Sequence, residues 1–261
     1  MDTEWRKLHG KVISELLKDI NESTDNYVLK GGTALMMCYK LDRFSEDIDL
    51  DSTDHSSIKK IVDDFCRKNN YSYRVAKNTD TVQRYMLNYG NERKPLKIEI
   101  SYRNKNIDPL KYQKINGINV YKIDSICLMK ASAYNGRDKI RDLYDLTYIC
   151  HNYWEELSEV TREVAKTSVE FKGIEQFDYL INTQKDELID NDKLASDFLE
   201  LYDKLGLLID KEELQNSSIE IKSKSTSSMD DWKSQIAQMR DDDNSKKEEI
   251  SPKAKNDRNE R

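Results

Sequence analysis

Residues 27–51 constrain the fold more than any other stretch of the chain. Tyr27-Val28-Leu29 is a short apolar run, Gly31-Gly32 follows, and Ala34-Leu35-Met36-Met37-Cys38 renews the apolar character. That order predicts a strand, a glycine turn and a helix start. Asp47-Ile48-Asp49-Leu50-Asp51 then alternates with period two, as a half-buried strand does. Such a strand needs a sheet whose one face meets the core, while its other face accommodates carboxylates.

The remaining pattern divides the chain. Trp5, Leu8, Val12, Ile13, Leu16, Leu17 and Ile20 form a helical stripe over residues 4–20, and Ile58, Ile61, Val62, Phe65 and Cys66 form another over 55–68. Segments 71–76, 81–89, 95–102 and 118–123 are rich in Tyr, Val and Ile and read as strands. From Asp124 to about Leu205 the pattern is helical, with breaks near Gly136, His151-Asn152 and Gly173. The expected architecture is therefore α/β (α+β): a mixed-sheet lobe over 1–123, an all-helical lobe over 124–214, and a polar tail over 215–261. The tail holds few apolar groups and is expected to be disordered. Trp232, Ile236 and Met239 fall at helical spacing after Asp230-Asp231, so a short helix at 230–240 is the expectation, against an incidental apolar cluster.

Several function classes drop out. No apolar run approaches the roughly 18 residues that span a bilayer, and Met1-Asp2-Thr3-Glu4-Trp5-Arg6 lacks a signal-peptide pattern. A cytoplasmic protein without a membrane partner is expected. The four cysteines are far apart without a Cys-x-x-Cys pair and the three histidines are isolated, which argues against thiol-redox and zinc chemistry. The net charge of -6 conceals an asymmetry: residues 71–141 hold 15 Lys+Arg against 6 Asp+Glu. Gathered on one face, they would suit the phosphates of a nucleotide or nucleic acid; the alternative is that they scatter over the surface.

Asp47 and Asp49 lie two apart on a strand, so both carboxylates point to one face while Ile48 points into the core. Close carboxylates stay ionised only with compensating cations, and oxygen-only ligation suits Mg²⁺. Two such ions can clamp the attacking oxygen and the leaving pyrophosphate of an in-line displacement. Gly31-Gly32-Thr33, between a strand and a helix start, lets the backbone and its N–H groups approach a phosphate.

With those elements in place, Gly31-Gly32-Thr33, thirteen residues, then Asp47-Ile48-Asp49 resembles motif I of the DNA-polymerase-β-like nucleotidyltransferase superfamily. The fuller string, Leu29-Lys-Gly-Gly-Thr-Ala-Leu through Arg43-Phe-Ser-Glu-Asp-Ile-Asp-Leu50, is similar to the AbiEii/AbiGii toxin family. The resemblance covers about residues 25–150; the helical stretch to about 210 fits in type, and the tail adds nothing. Motif I carries Gly-Thr where many superfamily members carry Gly-Ser, which keeps the hydroxyl.

The resemblance implies an NTP substrate, Asp47 and Asp49 as catalytic metal ligands, and Glu99, on the alternating strand Leu96-Lys97-Ile98-Glu99-Ile100, as a third. The alternative for Lys97 and Glu99 is a solvent face. It further implies Lys130 and Asp142 as catalytic residues, the latter in Arg137-Asp138-Lys139-Ile140-Arg141-Asp142-Leu143-Tyr144-Asp145-Leu146. Gly31, Gly32, Thr33, Arg43, Lys97 and Arg141 are then expected around the nucleotide. Asp142 is expected to orient Lys130 or Arg141 or to act as a base; the alternative is that an acidic first turn complements the helix dipole. The implied role is the toxin of a bacterial abortive-infection or type IV toxin–antitoxin pair that transfers NMP to tRNA or another RNA, with a cognate antitoxin. Two rivals are a small-molecule or protein nucleotidylating enzyme and a non-catalytic nucleotide-binding regulatory module acting through its tail.

Overall fold

The computed structural model describes residues 3–208 except 55, 91–93 and 105. The chain divides into two units, residues 1–207 and 208–261, and every helix and strand of the described residues belongs to the first. The expected disordered tail over 215–261 and its helix at 230–240 lie outside the described residues.

Helix α1 (Thr3–Ser23) buries Val12, Ile13, Leu16, Leu17 and Ile20, the stripe predicted for it. Strand β1 (Tyr27–Lys30) runs directly into α2 (Gly31–Cys38), so both glycines belong to the first turn of the helix. Strand β2 (Asp47–Ser52) returns antiparallel to β1, with Lys30 opposite Asp49. Helix α3 (Lys59–Asn69) starts just after the first apolar residue of its pattern, Ile58, which is its cap, and so four residues inside the expected bound at 55.

Strands β3 (Ser72–Asn78), β4 (Val82–Asn88) and β5 (Leu96–Ser101) then form a meander, and β5 lies parallel to β2. A further strand, β6 (Tyr112–Ile115), was not expected; it pairs with β7 (Ile118–Tyr121) around Asn116-Gly117, both at positive φ. Its burial is slight, so its residues carry no strong alternation. The result is one mixed seven-stranded sheet in the order β3-β4-β5-β2-β1-β7-β6.

Helices α4 (Ile123–Gly136), α5 (Ile140–Asn152), α6 (Glu159–Thr183) and α7 (Asn191–Lys204) make the helical part. The breaks at Gly136 and Asn152 end helices, whereas Gly173, at φ 68° and ψ 177°, kinks α6 without ending it. Residues 184–190 form a loop that the sequence pattern did not signal. Among the described residues no helix is long and apolar enough to cross a membrane. All four thiols are unbridged, and burial pushes those of Cys38 and Cys66 up to about 11, which leaves them protonated and inert.

Candidate active site

The alternation of β2 sets the site. Ile48 and Leu50 are buried in the core, at 0% and 1% exposure, so Asp47 and Asp49 emerge together on the opposite face. Register with the neighbouring strands extends this into a row: Arg84 of β4 faces Glu99 of β5, Glu99 faces Asp49, and Asp49 faces Lys30 of β1. A second row places Lys97 beside Asp47. In the first row two carboxylates, Glu99 and Asp49, thus sit side by side with a cation at each end, and those cations limit the repulsion between them.

Those charges are paired. The Lys97 Nζ lies 2.8 Å from Asp47 Oδ2 and 3.9 Å from Asp49 Oδ1. Burial alone would lower the Lys97 pKa, but Asp49 and the hydrogen bond to Asp47 outweigh it and raise it. Asp49 keeps 35% of its side chain open to the cavity, yet is hemmed in closely enough for burial to push its pKa up. Arg84 Nε donates to Glu99 Oε2 at 2.7 Å.

The two aspartates can hold a divalent metal, since they already converge on one positive charge, the Lys97 ammonium, and carboxylate oxygens are the donors Mg²⁺ prefers. The expected third ligand is not gathered with them. Glu99 is turned to Arg84, and among the described residues no three His, Cys, Asp or Glu side chains assemble as a metal cage.

The glycines are required by contact. Gly31 adopts φ +76°, and a Cβ there would lie 3.3 Å from Asp49 Oδ2. A Cβ on Gly32 would stand 2.9 Å from both the Arg43 guanidinium and Ser45 Oγ. The turn therefore packs directly against the aspartate strand and presents the first, unpaired N–H groups of α2 beside it.

Two expected nucleotide contacts, Thr33 and Arg43, turn inward, and a third, Arg141, stays on the polar cavity but is held by carboxylates. The Thr33 hydroxyl is buried, donates to the Asp47 carbonyl and is hydrogen-bonded to the Ser45 hydroxyl, so it locks α2 to β2. Arg43 is also buried, with Nε and Nη2 donating to the two Asp145 oxygens at 2.7 Å each and Nη1 to the Phe44 carbonyl. Only an edge of its guanidinium reaches the cavity wall. Arg141 is held by Glu46, at 3.3 Å, and by Asp186. The physical reason is common to Thr33 and Arg43: a buried polar group must find partners inside the protein.

Lys130 and Asp142 come together. Lys130 Nζ lies 2.6 Å from Asp145 Oδ2 and 3.5 Å from Asp142 Oδ1. Arg137 Nε donates to Asp142 Oδ2 at 2.6 Å and Arg137 Nη2 to Oδ1 at 3.1 Å. Asp142 accordingly orients Lys130 and Arg137, and not Arg141. Asp145 is fully buried; burial would raise its pKa, but Lys130 and Arg43 outweigh it and hold the carboxyl below its ordinary value.

Two cavities meet over this constellation. One, about 620 Å³, is lined almost entirely by charge, including Asp47, Asp49, Arg84, Lys97, Lys139 and Lys185. The other, about 580 Å³, has an apolar wall of Ile126, Met129 and Ala133 beside Lys30, Gly31 and Arg103. Gly32, Asp49, Lys130, Arg137 and Asp142 line both. Lys30, Arg84, Arg103, Arg137, Lys139 and Lys185 were not singled out from the sequence. Lys30 adjoins the glycines and Arg137 adjoins the Asp142 motif, so proximity was a usable signal for those two. Arg84 and Lys185 reach the site only through strand register and a loop.

Comparison with known proteins bears on the family and the fold. The chain is similar to JHP933 from Helicobacter pylori at 26% identity and TM-score 0.67, covering 86% of this chain and 100% of that one. A second H. pylori structure is 27% identical at TM-score 0.65, covering 80% and 100%. The nucleotidyltransferase toxin MenT4 from Mycobacterium tuberculosis aligns at 17% identity and TM-score 0.45, over 78% and 85%. No curated protein sequence matches the chain. The family profile described as nucleotidyl transferase AbiEii toxin, type IV TA system, matches residues 15–251, further than the resemblance over 25–150 and into the tail. This chain belongs to the AbiEii family of nucleotidyl transferase toxins of type IV toxin–antitoxin systems.

Proposed function

We propose that the chain is a Mg²⁺-dependent toxin that transfers NMP from an NTP to an RNA acceptor, with tRNA the foremost case, in the cytoplasm, and that a cognate antitoxin counters it. The observation that carries this reading is the Asp47–Asp49 pair, set beside the Gly31-Gly32 turn and ringed by basic side chains.

The residues divide the work. Asp47 and Asp49 would hold the metal, which when bound supplies charge neutralisation at the phosphates and activates the attacking oxygen. The N–H groups at the start of α2 cradle a phosphate, where the helix dipole favours an anion. Lys130 and Arg137, oriented by Asp142, face the charge that develops on the leaving group. An acceptor hydroxyl oxygen bonds to the α-phosphorus, the bond from that phosphorus to the bridging oxygen breaks, and pyrophosphate leaves. The hydroxyl proton passes to Glu99, the carboxylate beside Asp49 on the polar cavity. Lys97, which bridges the aspartates, would offer its ammonium to a phosphate held beside them.

Incubation of the protein with each α-³²P-labelled NTP, Mg²⁺ and total bacterial RNA tests this. A labelled tRNA-sized band, absent with Asp49→Ala or with EDTA, is the expected result. Label on protein alone, or a band indifferent to Asp49→Ala, would refute it.

A further inference from the structure

The two cavities differ in kind, and that difference assigns the substrates. A nucleoside has an apolar ring that needs a matching wall, and the Ile126, Met129 and Ala133 wall belongs to one cavity alone. Both glycines of the phosphate turn line that same cavity. The other cavity is predominantly polar, Ile140 being its one aliphatic side chain, and lies on the Glu99 and Arg84 side of the aspartates.

Lys139 and Lys185 stand out at the polar cavity. Both are exposed, and among the described residues neither has a carboxylate within ion-pair distance, whereas Lys97, Lys130, Arg84, Arg137 and Arg141 around them all do. Their backbone is braced. The Gln184 side chain donates to the Asp138 carbonyl at 2.7 Å and accepts from the Ile140 N–H at 3.0 Å. One amide thus spans the residues on either side of Lys139, and it sits next to Lys185. Free cations on a fixed frame fit a polyanion with phosphates at regular intervals better than a single small ligand.

We infer that the polar cavity is the acceptor subsite, that it takes an RNA strand, and that Lys139 and Lys185 grip phosphates upstream of the attacking hydroxyl while the NTP occupies the apolar-walled cavity. This inference rests on the RNA-acceptor reading. It makes Lys139 and Lys185 acceptor-binding residues with no part in holding the NTP. The transfer step is the one described above: the acceptor oxygen approaches from the Glu99 side and pyrophosphate departs on the Lys30 and Gly31 side.

Two titrations of the full chain test it: one with a short single-stranded RNA over a range of salt, the other with fluorescent ATP, CTP, GTP and UTP analogues in Mg²⁺. In Lys139→Ala/Lys185→Ala, RNA affinity is expected to fall at least about tenfold, and the slope of log K against log salt to drop by about 1.4, about 0.7 per lost phosphate contact. Affinity for the preferred nucleotide should stay within about twofold. Met129→Glu should do the converse, with melting curves confirming that both variants fold. If the double variant binds RNA as the wild type does, or loses nucleotide instead, the subsite assignment falls while the RNA-acceptor reading stands. Wild-type protein that binds nucleotide but no RNA at low salt would overturn both and point to a protein or small-molecule acceptor.

Discussion

At the scale of single residues, two aspartates three apart on α5 carry opposite expectations. Asp142 lines the cavities and orients Lys130 and Arg137, whereas Asp145 neutralises two cations in the interior. Asp145→Ala would leave the buried Arg43 without its carboxylate and Lys130 with only the 3.5 Å contact to Asp142, and is expected to cost about 3–5 kcal/mol, read from urea unfolding. Asp142, 2% exposed but paired with the partly open Arg137, should cost less stability than Asp145 when changed to Asn, while transfer falls roughly 100-fold or more, the scale of losing one electrostatic contact to the transition state. His9 gives a pH test. Its Nε2 faces the Glu46 carbonyl at 2.7 Å, so Nε2 carries the proton and Nδ1 accepts from the Tyr89 hydroxyl at 2.6 Å. Burial lowers its pKa below 6.5, so the unfolded chain takes up the proton first. Stability contributed by neutral His9 should be complete above pH 6.5 and decline as pH falls below it. Melting temperatures from pH 8 to 5 check this, and His9→Phe should flatten that part of the curve.

At the scale of elements, what was legible in the sequence was local. Period two in 47–51 and the stripe in 4–20 are set by which face is buried, and both are visible in a few neighbouring residues. The inward turn of Arg43 was not visible, because its partner lies 102 residues away on a helix whose packing the pattern cannot fix. Lys97 and Glu99 share one strand face as expected, but Arg84, which claims Glu99, and the aspartates that Lys97 claims come from strand register. The junction of β1 and α2 offers the sharpest element-level test. Gly31→Ala forces a left-handed conformation on an L-residue, about 1–2 kcal/mol, and sets a methyl 3.3 Å from Asp49 Oδ2. Gly32→Ala has an ordinary backbone but drives its Cβ to 2.9 Å from Arg43 and Ser45, so it should repack that loop. Both are expected to lower the melting temperature by several degrees. Both should also weaken nucleotide binding, which equilibrium titration with the preferred NTP will read.

At the scale of the whole molecule, the division between chemistry and tail is the remaining choice. The buried core runs from Val12 to Leu205, and the site residues all lie between Lys30 and Asp186, so every group assigned to catalysis belongs to one compact unit. A chain ended at Leu207 is therefore expected to fold with a melting temperature within a few degrees of the full protein and to retain NMP transfer to RNA. Growth of a bacterial host expressing each form separates catalysis from partner binding. If toxicity is catalytic, the wild type and the shortened chain arrest growth, and Asp47→Ala/Asp49→Ala relieves the arrest although the protein accumulates. A non-catalytic module acting through residues 215–261 demands the reverse: the double aspartate variant would still arrest growth and the shortened chain would not. The charge row across β4, β5, β2 and β1 argues for the first outcome. Holding Asp47, Asp49 and Glu99 together costs electrostatic energy that Lys97 and Arg84 must offset, and a fold that served only to display a tail would have no use for that arrangement.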